Sequence, residues 1–254
     1  MPVNELMRRL MATLFIICGP ALAENPTPVS TAARQPMTIG TEPGFAPYVF
    51  LDASGQITGF DRDIGDELCL RAQFDCTWVA TDFNALIPDL AAGQFDLVIA
   101  GLSDTPERRQ WVDFSDTYLT GGTTNFFVGH PGAPAPAAAR IAVQAGTLQE
   151  QRLIALGFAP IGYPSNQAAL QAVLAGDADL AFGADAFMKH ATLTGFGDLA
   201  LLQSDVSDMT GASIALGKDH AALRDRLNAL LVAMRADGTI DRLAAKWFPA
   251  EGQT

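Results

Sequence analysis

Thr105-Pro106-Glu107-Arg108 reads as the start of a helix, a capping hydroxyl followed by proline at the first helical position. An arginine at such a place is a receptor for a carboxylate, because the parallel N–H donors of its guanidinium and the free amides of the first turn converge on one anion. The residues alone leave a second reading open, a surface arginine paired with Glu107 or Asp113. Other chemistry finds less support. The three histidines stand at 130, 190 and 220, too scattered for a metal cluster, so neither a metal nor a cofactor is expected. No cleft histidine, activated cysteine or carboxylate pair with acid–base spacing presents itself, which ranks binding ahead of catalysis.

The elements that would position Arg108 follow from periodicity. Met37 to Thr41 reads as a first strand, and Tyr48–Leu51 and Ile57–Phe60 flank the turn tetrad Asp52-Ala53-Ser54-Gly55 as paired strands. From Asp61 the apolar spacing turns helical, with Ile64, Leu68 and Ala72 four apart. Strand Thr77–Ala80, helix Phe83–Ala92 and strand Leu97–Ala100 follow, the last too apolar on both faces for a surface sheet. Strand and helix in alternation imply a parallel sheet covered on both sides. A second cycle begins at Arg140: strand Ile141–Gln144, a helix from Thr147, a strand near Ile161, helix Asn166–Leu174, strand Leu180–Phe182 and a helix from about Asp185. His130 to Ala139, nearly all Pro, Ala and Gly, reads as the linker entering the second unit. After Ile214–Leu216, helices Ala221–Arg235 and Ile240–Trp247 close the chain.

The first 23 residues read as a cleaved secretory signal peptide: Arg8 and Arg9, the apolar run Leu10–Gly19, then Ala21-Leu22-Ala23 as a cleavage pattern. Cys18 follows Ile17, where a lipid-attachment motif needs a small residue, so simple cleavage is expected. Residues 24 to 35 read as a flexible leader. Cys69 and Cys76 are the cysteines left after cleavage, and an even pair in an exported chain favours a disulfide over free thiols or half a metal site. Removing Glu5, Arg8 and Arg9 takes the formal charge from −12 to −13, which argues against nucleic acid as a partner. Nothing calls for an oligomer, and a monomer is expected.

Ile39-Gly40-Thr41-Glu42, Gly59-Phe60-Asp61, Ala85-Leu86-Ile87-Pro88, Ser103 to Arg108, Val112 to Asp116 and Ala236-Asp237-Gly238-Thr239 stand together in one order and spacing. Over positions 36 to 248 the chain resembles the polar amino-acid-binding proteins of ABC importers, solute-binding family 3. Glu67 to Pro88 is most similar to lysine/arginine/ornithine- and histidine-binding members, a likeness that also implies a Cys69–Cys76 disulfide. The resemblance implies an α/β fold of the type II periplasmic binding protein class, two α/β lobes joined by a two-strand hinge with the ligand cleft between them. Lobe one would comprise 36–122 and 212–254 and lobe two 123–211, with crossings near 121–124 and 209–212. It also implies a periplasmic location, a small amino acid or related carboxylate as ligand, and an inner-membrane ABC permease as partner.

The same resemblance assigns Arg108 as the carboxylate clamp, with Ser103 offering its amide to the carboxylate and its hydroxyl to the ammonium. Gly101, next to Ala100 on the same wall, would offer a carbonyl to the ammonium. Phe45 and Phe83 match the aromatic walls that sandwich a ligand side chain. Glu42 matches an acid used against a distal cation. Two departures stand out. Leu148, in Gln144-Ala145-Gly146-Thr147-Leu148-Gln149, replaces a usual hydroxyl, leaving a backbone N–H at the helix start to serve. Ala184 stands where the acid that receives the α-ammonium is expected, and Asp185 comes one residue late, so a one-residue bulge would have to restore it. Without that acid the likeness points to an opine or an amine-free ligand. A sensor that docks on a membrane partner, and an enzyme of the dehydratase kind known on this fold, are the competing functions.

Overall fold

A computed structural model of the chain describes residues 34–121, 124–207 and 211–248. The signal peptide, most of the leader and parts of both expected crossings (122–123 and 208–210) lie outside the described residues. In chain order the elements are β1 (Gln35–Thr41), β2 (Gly44–Phe45), β3 (Val49–Leu51), β4 (Ile57–Thr58), α1 (Phe60–Ala72), β5 (Phe74–Ala80), α2 (Leu86–Ala91), β6 (Leu97–Val98), β7 (Asp113–Leu119) and β8 (Thr124–Gly129). They continue as β9 (Ile141–Gln144), α3 (Leu148–Ala155), β10 (Ile161–Tyr163), α4 (Asn166–Ala175), β11 (Leu180–Ala184), α5 (Asp185–Thr194), β12 (Ala200–Val206), β13 (Ala212–Leu216), α6 (Ala221–Ala236) and α7 (Thr239–Trp247).

Two five-stranded sheets result, ordered β5-β1-β6-β13-β7 and β10-β9-β11-β8-β12, beside a small sheet β2-β3-β4. Neither large sheet is wholly parallel, which corrects the sequence reading. β13 runs antiparallel to β6 and β7, and β8 runs antiparallel to β11 and β12. The cause is topological. A strand reached through a helix starts at the far end of its own sheet and is parallel to its predecessor, whereas β8 and β13 each come directly from a strand of the other sheet and enter from the near end. His130–Ala139 therefore lies inside the second unit, after β8, and is not its entrance.

Both faces of each large sheet are covered, so the strands are apolar on both sides. On one face of the first sheet Ile39 and Ile214 pack with Phe60 and Ile64 of α1 and with Leu227, Leu231 and Ile240 of the C-terminal helices. On the other, Val98 and Ala215 meet Leu86, Leu90 and Phe95. The second sheet buries Ala142 and Ala181 against Leu170 and Met188, and Val143 and Phe182 against Leu153. Each of the buried Val, Leu, Ile, Met and Phe side chains among these contributes about 1.5–3 kcal/mol. α1 ends at Gln73 in the left-handed region (φ 54°), and the Cys69–Cys76 disulfide ties its last turn to β5. No helix among the described residues is long and apolar enough to cross a membrane.

Candidate functional site

A cavity of about 60 Å³ lies between the two large sheets. Its first wall is built where strands of the first sheet end. β1 delivers Glu42, and Thr41 Oγ1 donates to Ile99 O at 2.7 Å, binding that strand end to the segment after β6. Gly101 takes φ +58°, and a Cβ there would come within 2.9 Å of the Phe45 ring, so glycine serves both conformation and space. Behind it Asp61 is fully buried, accepting from the Tyr118 hydroxyl at 2.9 Å. Burial raises its pKa to about 7, against the Tyr118 and Gly101 backbone hydrogen bonds.

Arg108 begins a single 3-10 turn, Arg108–Gln110, and not the longer helix expected. Thr105 still caps it, its Oγ1 accepting from the Arg108 backbone N–H at 3.2 Å. The guanidinium donates from Nη1 to Ser103 O at 2.8 Å and lies 5.6 Å from the centre of the Phe83 ring. Burial lowers its pKa to about 10, with Glu107 pulling the other way. Among the described residues no carboxylate forms an ion pair with it. Asp113, one competing partner, pairs with Arg224 at 3.5 Å, and Glu107, the other, is exposed. Arg109 takes up Asp104, its Nε donating at 2.6 Å. A half-buried cation without a counter-charge is held at a cost that a bound anion relieves. That places an anion-receptive group on the cavity wall.

The second wall comes from the ends of β9 and β11. Thr147 caps α3, accepting from the Glu150 N–H at 3.2 Å, while Glu150 accepts from the Gly146 N–H at 2.8 Å. This reciprocal arrangement fixes the turn that sets Leu148 against the cavity. Gln144 and Asn166 line the same wall, the Asn166 amide donating to Gln144 Oε1. Across from them, burial pushes the Glu42 carboxyl up to about 7, the Gln144 hydrogen bond pulling it down and Asp82 adding to the rise. Contacts span the cavity: Phe45 stacks on Phe187 of α5, and a Cβ on Gly146 would touch Asn84 Oδ1.

A family model described as bacterial extracellular solute-binding proteins, family 3, matches residues 37–250. The chain belongs to this family. It is 34% identical to the lysine/arginine/ornithine-binding periplasmic protein of Escherichia coli, over 95% of this chain and 97% of the relative. It is 31% identical to the histidine-binding periplasmic protein of Salmonella typhimurium, with the same coverage of each. Among solved structures, a periplasmic His/Glu/Gln/Arg/opine family-binding protein from Silicibacter pomeroyi in complex with lysine superposes with a TM-score of 0.79 at 30% identity, covering 86% of this chain and 99% of that one. The fold of this family 3 chain is thus the type II periplasmic binding protein fold.

Within this solute-binding scaffold, Glu42, Phe45, Phe83, Ala100, Gly101, Ser103, Arg108 and Leu148 all lie on the cavity wall. Asp185 does not. The pairing of β11 with β8 runs without a register shift from Ala181 opposite Val128 to Ala184 opposite Asn125, so no bulge brings Asp185 forward. Ala184 faces the cavity, and Asp185 opens α5 and pairs with Lys189 at 3.3 Å. Phe45 stacks on Tyr48, at 4.6 Å and 8°, and on Phe187, at 5.7 Å and 23°. Tyr48, Asn166 and the Gln144 side chain on the wall were missed. Asn166 had one signal, the Pro164-Ser165 helix start before it.

Proposed function

We propose that this family 3 chain is the periplasmic ligand-capturing subunit of an amino-acid ABC importer, closing around an amino acid or related polar or basic carboxylate. The supporting observation is Arg108, half-buried, anchored on Ser103, stacked over Phe83 and without an acidic ion-pair partner among the described residues. A ligand carboxylate supplies the counter-charge that the protein withholds. Ser103, Gly101 and Leu148, the first residue of α3, line the cavity with it, and Glu42 on the same lining would take a ligand cation. The two lobes are 36–122 with 212–254, and 123–211. Their paired crossings, near 121–124 and 209–212, form the hinge, a reading supported by the two reversed strands, β8 and β13. The relatives named for lysine, arginine, ornithine and histidine support the ligand class, and the pairing with a permease follows from the same kinship.

Ligand capture is the proposed role, in keeping with relatives named as binding proteins. The cavity wall carries a single carboxylate among the described residues and neither histidine nor cysteine. The test is a thermal-shift panel of L-amino acids, opines and simple carboxylates on protein lacking residues 1–23, with Arg108→Ala beside it. A ligand at about 100 times its dissociation constant adds roughly 2.7 kcal/mol, an upward shift of about 5–10 °C. The shift is expected for carboxylates in the wild type and absent in the variant.

A further inference from the structure

We infer that the ligand carries its cation at the end remote from the carboxylate and needs no charged amine beside that carboxylate: an ω-guanidino or ω-amino acid. The inference rests on the reading of Arg108 as the carboxylate receptor. Among the described residues Arg108 is the one cation and Glu42 the one carboxylate on the cavity wall. No ion pair joins them, and they belong to separate groups, Arg108 with Ser103 and Phe83, Glu42 with Gln144 and through it Asn166. A ligand that neutralises both must therefore present an anion to one and a cation to the other.

An ammonium next to the bound carboxylate finds no acid. Ala184 contributes only a methyl group to the wall, Asp185 is turned to Lys189, and Asp104 is held by Arg109. Asp61 lies behind Gly101, outside the wall, with one oxygen committed to Tyr118. Gly101 and Ser103, which line the cavity with Arg108, carry no acid and can offer an ammonium only neutral acceptors. Among ligands with a remote cation, the charge balance separates those with an α-ammonium from those without. With Arg108 and Glu42 charged, an acid with one carboxylate and one remote cation leaves the closed cavity neutral. A basic α-amino acid, with two cations, leaves it one positive charge in excess, away from solvent, which is costly.

The test is titration calorimetry on the processed protein with L-arginine against 5-guanidinopentanoate, the same molecule without its α-amino group, and with L-lysine against 6-aminohexanoate. Loss of the α-amino group is expected to leave the affinity within about threefold or to tighten it. Ala184→Asp, which supplies an acid at the cavity wall, is expected to shift the preference toward the α-amino acids by roughly tenfold or more. Wild-type binding of arginine and lysine tenfold or more tighter than their des-amino counterparts overturns the inference while leaving the carboxylate receptor in place. If none of the four ligands binds, the inference fails, and binding of other carboxylates in the thermal-shift panel then shows whether Arg108's role fails with it.

Discussion

Phe45 and Phe187 stack across the cavity with ring centroids 5.7 Å apart and planes 23° apart. Phe45 comes from β2, beside the first sheet, and Phe187 from α5, on the second, so the pair forms only when the two sides meet. Tyr48 also stacks on Phe45, which makes that ring part of a three-ring cluster, and Phe45, Tyr48 and Phe83, the last beneath Arg108, all line the cavity.

Phe187→Leu keeps most of the buried volume and removes the ring stacking. An aromatic pair is worth about 0.5–1.5 kcal/mol beyond its area, so ligand affinity should fall roughly two- to tenfold by calorimetry. The melting temperature of the ligand-free protein measures any separate cost to the core.

Gly146 and Asn84 meet across the same cleft. Gly146 has φ +75°, and a Cβ would stand 2.2 Å from Asn84 Oδ1. Gly146→Ala should therefore weaken ligand binding by about tenfold and also carry about 1–2 kcal/mol of backbone strain. Adding Asn84→Ala should restore part of the affinity and none of the strain. A double-mutant cycle of affinities and melting temperatures separates the two.

Glu42 sets a pH dependence. Burial moves its pKa from 4.5 to about 7, so between these values the folded protein holds more protons than the unfolded chain and loses stability as pH rises. Above pH 7 the cost is complete, on the order of 3 kcal/mol at most. Glu42→Gln removes it. In thermal melts the variant should gain on the wild type at pH 8 and lose that advantage at pH 5. Asp61 titrates in the same window, but it is present in both proteins and cancels in the difference.

The Cys69–Cys76 bridge closes a short loop, with a sequence separation of 7, between α1 and β5. A loop of that size is worth about 2–3 kcal/mol in the chain-entropy account. Replacing both cysteines by serine should lower the melting temperature by roughly 5–10 °C and leave ligand affinity unchanged.

Much of this was legible in the residues. Helical spacing placed α1, α4 and α6, because each buries one stripe against a sheet. β7 and β12 escaped because Asp113-Phe114-Ser115-Asp116 mixes polar and apolar positions and Gln203-Ser204-Asp205 is wholly polar, as the outermost strands of their sheets can be. The sheet direction could not be read because it depends on which strands are joined by helices and which by direct crossings. For the cavity, Glu42, Phe45, Phe83 and the run Ala100 to Arg108 come from separate parts of the chain, and it is the family resemblance that assigns them to one wall. Contacts between the sheets, such as Phe45 with Phe187 and Gln144 with Glu42, join residues over 100 positions apart and carry no local pattern. The count that put Ala184 at the expected acid position was made on the residues, and the unbroken β11–β8 register shows why Asp185 does not take its place.

The most direct measurement of the carboxylate receptor compares 5-guanidinopentanoate with 4-guanidinobutylamine, in which an amine replaces the carboxylate, on wild type and Arg108→Ala by titration calorimetry. A buried, charge-assisted pair is worth about 2–5 kcal/mol when one partner is removed. The wild type should therefore prefer the acid by roughly 100-fold or more, and the variant should lose that preference. Equal binding of acid and amine by the wild type, or an undiminished preference in Arg108→Ala, would contradict it.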